Sequence, residues 1–120
     1  MNALKRLARL DRLDQKTHYI LLALSARDLH GSGIARAVHD ETQGELRLWP
    51  ATLYGTLELM ARDGLIEELE DDERPPESEK RRYYRITRLG EKALARETER
   101  LARLVKTARQ NLKRRGSEAF

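Results

Sequence analysis

Three segments in the first half of the chain carry apolar residues at helical spacing, and glycines separate them. The first, 15–31, contains the mostly apolar run YILLALSA, which is long enough for a buried helix, and Gly31 can terminate it. The second, 31–44, starts with Ser32, a residue type that caps helix N-termini, and Gly44 ends it. The pattern therefore predicts two helices joined by a tight turn that contains glycine.

The third segment, 45–64, predicts a helix with an unusual first half. Pro50 suits a first helical turn, where its missing N–H costs nothing, and Asp63 and Gly64 together form a stop signal. An apolar stripe recurs at i, i+4 and i+7 and is expected to face the core: Leu53, Leu57 and Met60.

Beyond the third segment the period changes from helical to alternating. Residues 65–70 and 80–86 predict two short strands, with Tyr84 and Ile86 on one face of the second. The intervening DDERPPESE is polar and contains two prolines, so it predicts an exposed and mobile hairpin loop. Thr87 is expected to cap the helix that follows.

A long polar helix is predicted from Leu89 to about Arg115. Apolar or small side chains recur along it in steps of four and three, which makes a heptad stripe of the kind that pairs with a second helix. We expect this stripe to form a dimerisation seam: Leu94, Thr98, Leu101, Val105, Ala108 and Leu112.

The order of these elements is that of a winged helix-turn-helix, a mostly α fold with a small β-hairpin. The predicted layout is an N-terminal helical extension at 1–14, a DNA-binding domain at 15–88, a C-terminal dimerisation helix at 89–115 and a tail at 116–120. In this fold the third helix enters the DNA major groove, and the hairpin, called the wing, contacts the backbone.

Composition favours a small binding domain over an enzyme. The 120 residues are 39% hydrophobic and 37% charged, which is thin for an enclosed catalytic pocket, and no cysteine offers a disulfide or a thiolate ligand. The three histidines are scattered, and no phosphate-cradling glycine loop or nucleophile elbow occurs. We therefore expect no catalytic residues, metal or cofactor. Neither a signal peptide nor a membrane span is visible, so the expected location is cytoplasmic.

Charge is distributed in blocks, although the net charge is only +4. Residues 65–79 hold eight acids against one Arg, and residues 80–92 hold six Lys or Arg against one acid. The alternative to DNA binding is that the second wing strand pairs with the acids of EELEDDE and is merely solvated. We expect four cations at or beside that strand to neutralise DNA phosphates: Lys80, Arg81, Arg82 and Arg85.

Three stretches of the sequence resemble the PadR family of bacterial transcriptional regulators. HGSGIARAV resembles the family's His-Gly-x-x-Ile, WPATLYGTLELMARDGLI resembles its third helix, and RRYYRITRLGEKAL resembles its Arg-x-Tyr-x-Leu-Thr-x-x-Gly passage from wing to helix. The matches lie in order over about residues 16–94, and the single C-terminal helix resembles the short PadR subgroup. The chain departs from the family at Ser32, where Tyr is common, and at Gly55, where Pro is usual.

The resemblance implies a sequence-specific regulator, a homodimeric repressor that binds double-stranded DNA and packs its C-terminal helix against that of a second copy. A two-fold dimer would read a pseudo-palindromic operator. An unknown small-molecule effector is a further partner to consider, and no membrane partner is expected. The alternative is a winged-helix protein-interaction module that does not read DNA sequence.

The first turns of the third helix carry side chains suited to contact more than to helix stability. Thr52 and Thr56 lie off the core stripe and can contact phosphates or base edges, and Tyr54 can offer its hydroxyl to a phosphate. Gly55 would let the backbone approach the duplex, at a cost of about 1 kcal/mol of helix stability relative to Ala. Arg47 lies just upstream and completes the predicted DNA-contacting set.

Several of these residues have a structural alternative. Tyr54 can pack in the core, and Gly55 can either be tolerated without a role or mark a close contact between helices. Trp49, immediately before the helix, is interpreted as a packing residue at the start of the helix, in preference to a side chain that inserts into DNA.

Overall fold

The computed structural model describes residues 13–116 and 118. Within them, the elements in chain order are α1 (Gln15–Ala26), β1 (Leu29–His30), α2 (Gly31–Glu41), α3 (Pro50–Arg62), β2 (Ile66–Glu68), β3 (Tyr83–Ile86) and α4 (Arg88–Arg114). The predicted N-terminal extension, apart from its last two residues, and part of the predicted tail lie outside the described residues. The architecture is the predicted mostly α winged helix with a long C-terminal helix.

Side-chain caps determine where the first two helices begin. Asp14 caps α1 by accepting the N–H of Thr17 at 2.8 Å. His30 caps α2, because its Nδ1 accepts the N–H of Gly33 at 3.1 Å. The predicted cap at Ser32 is therefore wrong, and Ser32 lies inside the first turn of α2. A histidine can replace serine here because a neutral imidazole nitrogen accepts a hydrogen bond as a hydroxyl does.

A short strand, β1, occupies the turn that was predicted between the first two helices. It pairs antiparallel with β3, and Leu29 lies opposite Tyr84. On its other edge β3 pairs antiparallel with β2, and Glu67 lies opposite Arg85, so the strand order is β1-β3-β2. The predicted two-stranded hairpin is thus part of a three-stranded sheet. A two-residue strand is too short to leave an alternating period in the sequence.

The core lies where α1, α2 and α3 pack against the sheet and the start of α4. The predicted stripe of α3 is buried as expected: Leu53, Leu57 and Met60. Pro50 is the first residue of α3, and Thr87 caps α4 by accepting the N–H of Gly90 at 3.1 Å, both as predicted. Further fully buried side chains come from α1, α2 and the start of the wing: Ile20, Leu21, Leu24, Ile34, Val38, Leu65 and Ile66.

The loop of the wing, between β2 and β3, is mostly exposed, as predicted, but it has internal structure. Two short 3-10 turns lie within it, and the side chain of Arg74 is only 14% exposed. Arg74 donates to the carbonyl oxygens of Lys80 at 3.3 Å and Arg81 at 3.1 Å, and it pairs with Asp71. The guanidinium therefore links the two sides of the loop, because its several N–H donors reach backbone carbonyls that lie outside the strands.

One corner joins the end of α3, the wing and α4. The hydroxyl of Thr87 donates to the carbonyl of Gly64, and the N–H of Thr87 donates to the carbonyl of Leu65 at 3.0 Å. At Gly90 the first turn of α4 passes so close that an added Cβ would lie 2.1 Å from the Leu65 carbonyl oxygen. A residue without Cβ is required for this approach.

Two helical glycines give opposite expectations for the same substitution. Gly90→Ala should destabilise the protein by about 1–3 kcal/mol, because its methyl group meets the backbone at the start of the wing. Gly55→Ala should stabilise it by about 1 kcal/mol, because a Cβ there meets nothing within 4 Å and alanine favours helix. Urea unfolding of both variants beside the wild type measures the two effects. A destabilised Gly55→Ala protein would contradict the open surroundings of that residue.

Candidate nucleic-acid interface

The structure brings α3 and the wing together around Tyr54. One cleft lies between the start of α2, α3 and the end of the wing loop just before β3, which we call the wing tip. Its lining includes Ser32, Tyr54, Lys80 and Arg81. A second cleft continues along α3 beside the first strand of the wing, and its lining includes Gly55. Both clefts share Tyr54 and Arg82, so we refer to them together as the α3–wing groove.

The outer face of α3 carries small side chains near its N-terminal end and an exposed leucine one turn further on. Ala51, Gly55 and Leu59 follow one another at i and i+4 spacing on the side opposite the core stripe, and all three are exposed. Among the described residues nothing lies close to Gly55, so the alternative of a helix contact at this glycine is wrong. The arrangement leaves the backbone of α3 accessible to a ligand.

The two threonines of α3 differ in what they can offer. Thr52 is exposed. Thr56 is half-buried, and its hydroxyl donates to the carbonyl of Thr52 at 2.8 Å. The proton of Thr56 is therefore used within the helix, and its oxygen lone pair and methyl group remain for contact.

Tyr54 lies across the start of α2. The residue is 44% exposed, and a Cβ added at Gly31 would lie 2.4 Å from the phenol oxygen of Tyr54. The hydroxyl end of the ring therefore rests on the backbone at the first residue of α2, and Tyr54 lines both clefts of the groove. The alternative of a core tyrosine is wrong, because packing on Gly31 positions the ring without burying it.

The acids of the wing compensate two of its four predicted cations. Arg82 donates to Glu68 from Nε at 2.9 Å and from Nη2 at 3.2 Å. Arg85 donates to Glu67 at 2.7 Å and to Glu73 at 2.6 Å. These hydrogen bonds raise the pKa of both guanidinium groups. For Arg82 and Arg85 the structure thus agrees with the alternative interpretation of a strand paired with the acidic run.

The other two wing cations lie at the tip, and among the described residues neither is in an ion pair. Lys80 lies with Glu79 at the centre of a turn that the N–H of Arg81 closes on the carbonyl of Ser78 at 3.0 Å. The central residues have φ of 53° and 66°. Such left-handed conformations cost a residue other than glycine about 1–2 kcal/mol each. The wing tip therefore presents its cations on a strained backbone.

His30 connects α2, the sheet and the wing tip. Its ring meets Tyr83 edge-on, with centroids 5.2 Å apart, and its Nε2 lies 3.2 Å from Nη1 of Arg81. Because Nδ1 accepts the N–H of Gly33, the proton of the neutral ring belongs on Nε2, where it faces another donor. Arg81 is therefore close to His30 without being held by it. Burial and the charge of Arg81 lower the pKa of His30.

The lowered pKa predicts a pH dependence of stability. The unfolded chain binds a proton at His30 near the ordinary pKa of 6.5, and the folded protein does so only at lower pH. Stability from this group is therefore complete above pH 6.5 and is lost as the pH falls below it. His30→Asn keeps a capping oxygen without the titration, so its unfolding free energy should fall less between about pH 7.5 and 5. Equal pH slopes for both proteins in urea unfolding would contradict this role.

The roles of three residues in this region were not predicted from the sequence. Arg74 was placed in a polar loop, His30 was not connected with the wing, and Trp49 was interpreted as a packing residue. That interpretation is wrong, because 64% of Trp49 is exposed and its ring contacts the guanidinium of Arg47, whose Cζ lies 5.6 Å from the ring centroid. A tryptophan directly before a helix, at a position that favours capping oxygens, was the available signal.

The predicted seam on α4 divides into two parts. Leu94 is half-buried against the core, and the helix rests on the domain through Gly90, Ala93 and Glu97. Beyond them the apolar face is open: Leu101 is 36% exposed and Val105 is 49% exposed. Of the remaining predicted seam residues, Thr98 and Ala108 are exposed and Leu112 is half-buried. Leu104, which was not predicted as part of the seam, is also exposed.

A sequence profile of the transcriptional regulator PadR-like family matches residues 20–96, which is more than half of the chain. The chain belongs to the PadR family. The matched range includes α2, α3, the wing and the first turns of α4, so it contains the whole α3–wing groove. The identification confirms a DNA-binding transcriptional regulator and not an enzyme. No curated protein matched the chain in the sequence comparison.

Solved structures of similar fold include further members of this class. A PadR-like transcription factor from Bacteroides fragilis is 26% identical, with 89% of this chain and 93% of that chain covered and a TM-score of 0.59. A PadR family regulator from Clostridium difficile is 23% identical, with 81% and 97% covered and a TM-score of 0.65. A transcriptional regulator from Clostridium thermocellum is 24% identical, with 79% and 87% covered and a TM-score of 0.63.

None of the helices in the described residues combines the length and the apolar character needed to cross a bilayer.

Proposed function

We propose that this PadR protein is a homodimeric repressor that inserts α3 into the major groove of a pseudo-palindromic operator. The observation that carries the proposal is the α3–wing groove, where an accessible helix face of small residues lies beside wing-tip cations without a carboxylate partner. Such a surface is complementary to the major groove of DNA, because the helix can contact base edges while the wing cations contact phosphates.

On α3, the proposed contacts are divided by chemistry. Thr52 contacts a base edge, because its side chain is exposed on the leading turn. Thr56 contributes its methyl group, and Gly55 allows the backbone to approach. Tyr54 donates its hydroxyl to a phosphate at the edge of the groove, in an orientation that packing on Gly31 supports.

In the wing, Lys80 and Arg81 are the proposed direct phosphate contacts, and Arg47 is the corresponding cation before α3. Arg82 and Arg85 also border the DNA surface, but each must exchange a carboxylate for a phosphate. That exchange costs part of its binding contribution, so the acids reduce non-specific attraction to any duplex.

Dimerisation is proposed to use the open apolar face of α4, from Thr98 to Leu112. A second copy of the same helix would cover Leu101 and Val105, and the pair of wing domains would then read two half-sites about one helical turn apart. Repression would follow from occlusion of the promoter. An effector that bound one arrangement of the dimer more tightly would change the spacing of the two α3 helices.

Duplex binding tests the proposal directly. A fluorescently labelled duplex from the region upstream of the protein's own coding sequence is titrated in an anisotropy assay, with random-sequence duplex as competitor and at several salt concentrations. We expect competitor-resistant binding that weakens steeply with salt. Equal, weak binding to both duplexes would instead favour a winged-helix module that works through protein contacts.

The wing-tip cations should contribute most of the salt dependence of DNA affinity. Lys80→Ala combined with Arg81→Ala is expected to flatten the slope of log K against log salt by about two units, since each phosphate contact contributes about 0.9. Lys106→Ala combined with Lys113→Ala removes the same charge from α4 and serves as the control. An unchanged slope in the Lys80→Ala, Arg81→Ala protein would place the wing tip off the DNA.

The seam on α4 makes a prediction about assembly. Leu101→Lys should split the dimer, because it places a charge where the second helix must pack. Leu59→Lys changes another exposed leucine, on α3, and should leave the dimer intact. Sedimentation equilibrium measures both masses, and a full-strength dimer of the Leu101→Lys protein would place the interface elsewhere.

A further inference from the structure

Trp49 is the one tryptophan of the chain, yet the residue is 64% exposed. It stands at the N-cap of α3 and makes no side-chain capping hydrogen bond. Ser, Thr, Asp and Asn are favoured there because their oxygens accept an N–H of the first turn. The position therefore forgoes a cap and does not gain a core contact in return. A structural role in the domain does not explain this residue.

The surroundings of Trp49 fix its place at the leading end of α3. Its carbonyl accepts the N–H of Leu53 at 2.8 Å, and Pro50 follows as the first helical residue. The guanidinium of Arg47 stacks over the indole at 5.6 Å from the ring centroid, within the usual range of a cation–π contact. An apolar plane, a cation and the uncapped start of a helix thus lie next to one another.

We propose that Trp49 is a DNA-contacting residue. Its indole packs against the apolar face of a deoxyribose and the adjoining base edge, while Arg47 pairs with the neighbouring phosphate. This inference rests on the proposed entry of α3 into the major groove, and it adds a contact at the helix start that the threonines and the wing do not supply.

Three features favour a nucleotide over a protein surface as the occupant. The N–H groups at the uncapped start of α3 favour an anion, because a helix N-terminus carries partial positive charge. Arg47 adds a full positive charge at the same end, and among the described residues no carboxylate pairs with it. The indole supplies a flat apolar surface against which a sugar and a base edge can pack. A phosphodiester backbone combines all three complements within one nucleotide.

Because the chain has one tryptophan, its emission reports on this residue alone. Acrylamide quenching of the free protein should show an accessible indole. On saturation with the upstream duplex, confirmed by anisotropy of an end-labelled copy, the emission should move to shorter wavelength and acrylamide quenching should fall. An indole that is already shielded in the free protein would mean that a second copy covers it, and the inference would be wrong.

Two variants separate the aromatic contact from the fold. Trp49→Ser removes the ring and supplies a capping oxygen, so affinity should fall by about 5- to 150-fold, the range for loss of one aromatic stack. The unfolding midpoint of Trp49→Ser should stay the same or rise. Trp49→Phe keeps an aromatic plane and should retain most of the affinity.

The outcomes distinguish this inference from the proposed function. Competitor-resistant duplex binding with unchanged tryptophan emission and quenching overturns the role of Trp49 and leaves the repressor proposal standing. Absence of competitor-resistant binding at low salt overturns both. Equal affinities of Trp49→Ser and wild type would likewise show that the ring makes no contact.

Discussion

The fold depends on the contact between the first turn of α4 and the carbonyl of Leu65. Gly90 permits this approach, and Thr87 adds hydrogen bonds to the same corner. The end of α3, both wing strands and the long helix therefore meet at one place. In the proposed dimer, this corner would transmit the position of α4 to α3, so helix packing in the seam would set the spacing of the two recognition helices.

Three acids of the wing form ion pairs with the arginines of its second strand and of the residue before it. Glu67 and Glu73 compensate Arg85, and Glu68 compensates Arg82, so among the described residues Lys80 and Arg81 are the predicted wing cations outside an ion pair. A strained turn presents those tip cations, and Arg74 holds the turn from inside. The wing thus pairs Arg82 and Arg85 with its own acids and leaves Lys80 and Arg81 outside the ion pairs of the described residues, an arrangement suited to the proposed local contact with a phosphate.

The leading end of α3 departs from the rules of helix stability at two positions. An uncapped tryptophan precedes the helix, and a glycine lies on its open face. Departures from local preference are expected where a surface serves binding. Under the proposed function both positions face the DNA, whereas the rest of α3 follows the pattern of an amphipathic helix with one buried face.

Much of the secondary structure of this protein can be predicted from the local spacing of residues in the sequence. The stripe of α3, Pro50 at its start, the Thr87 cap and the order of helices and wing are readable from the sequence because each depends on residues only a few positions apart. The resemblance of the same segments to the PadR family further predicted that the protein is a transcriptional regulator. The tertiary structure decided β1, the His30 cap with its approach to Arg81 across 51 residues, and which wing cations are paired. Those features depend on partners distant in the chain, and local periodicity carries no information about which distant groups folding brings into contact.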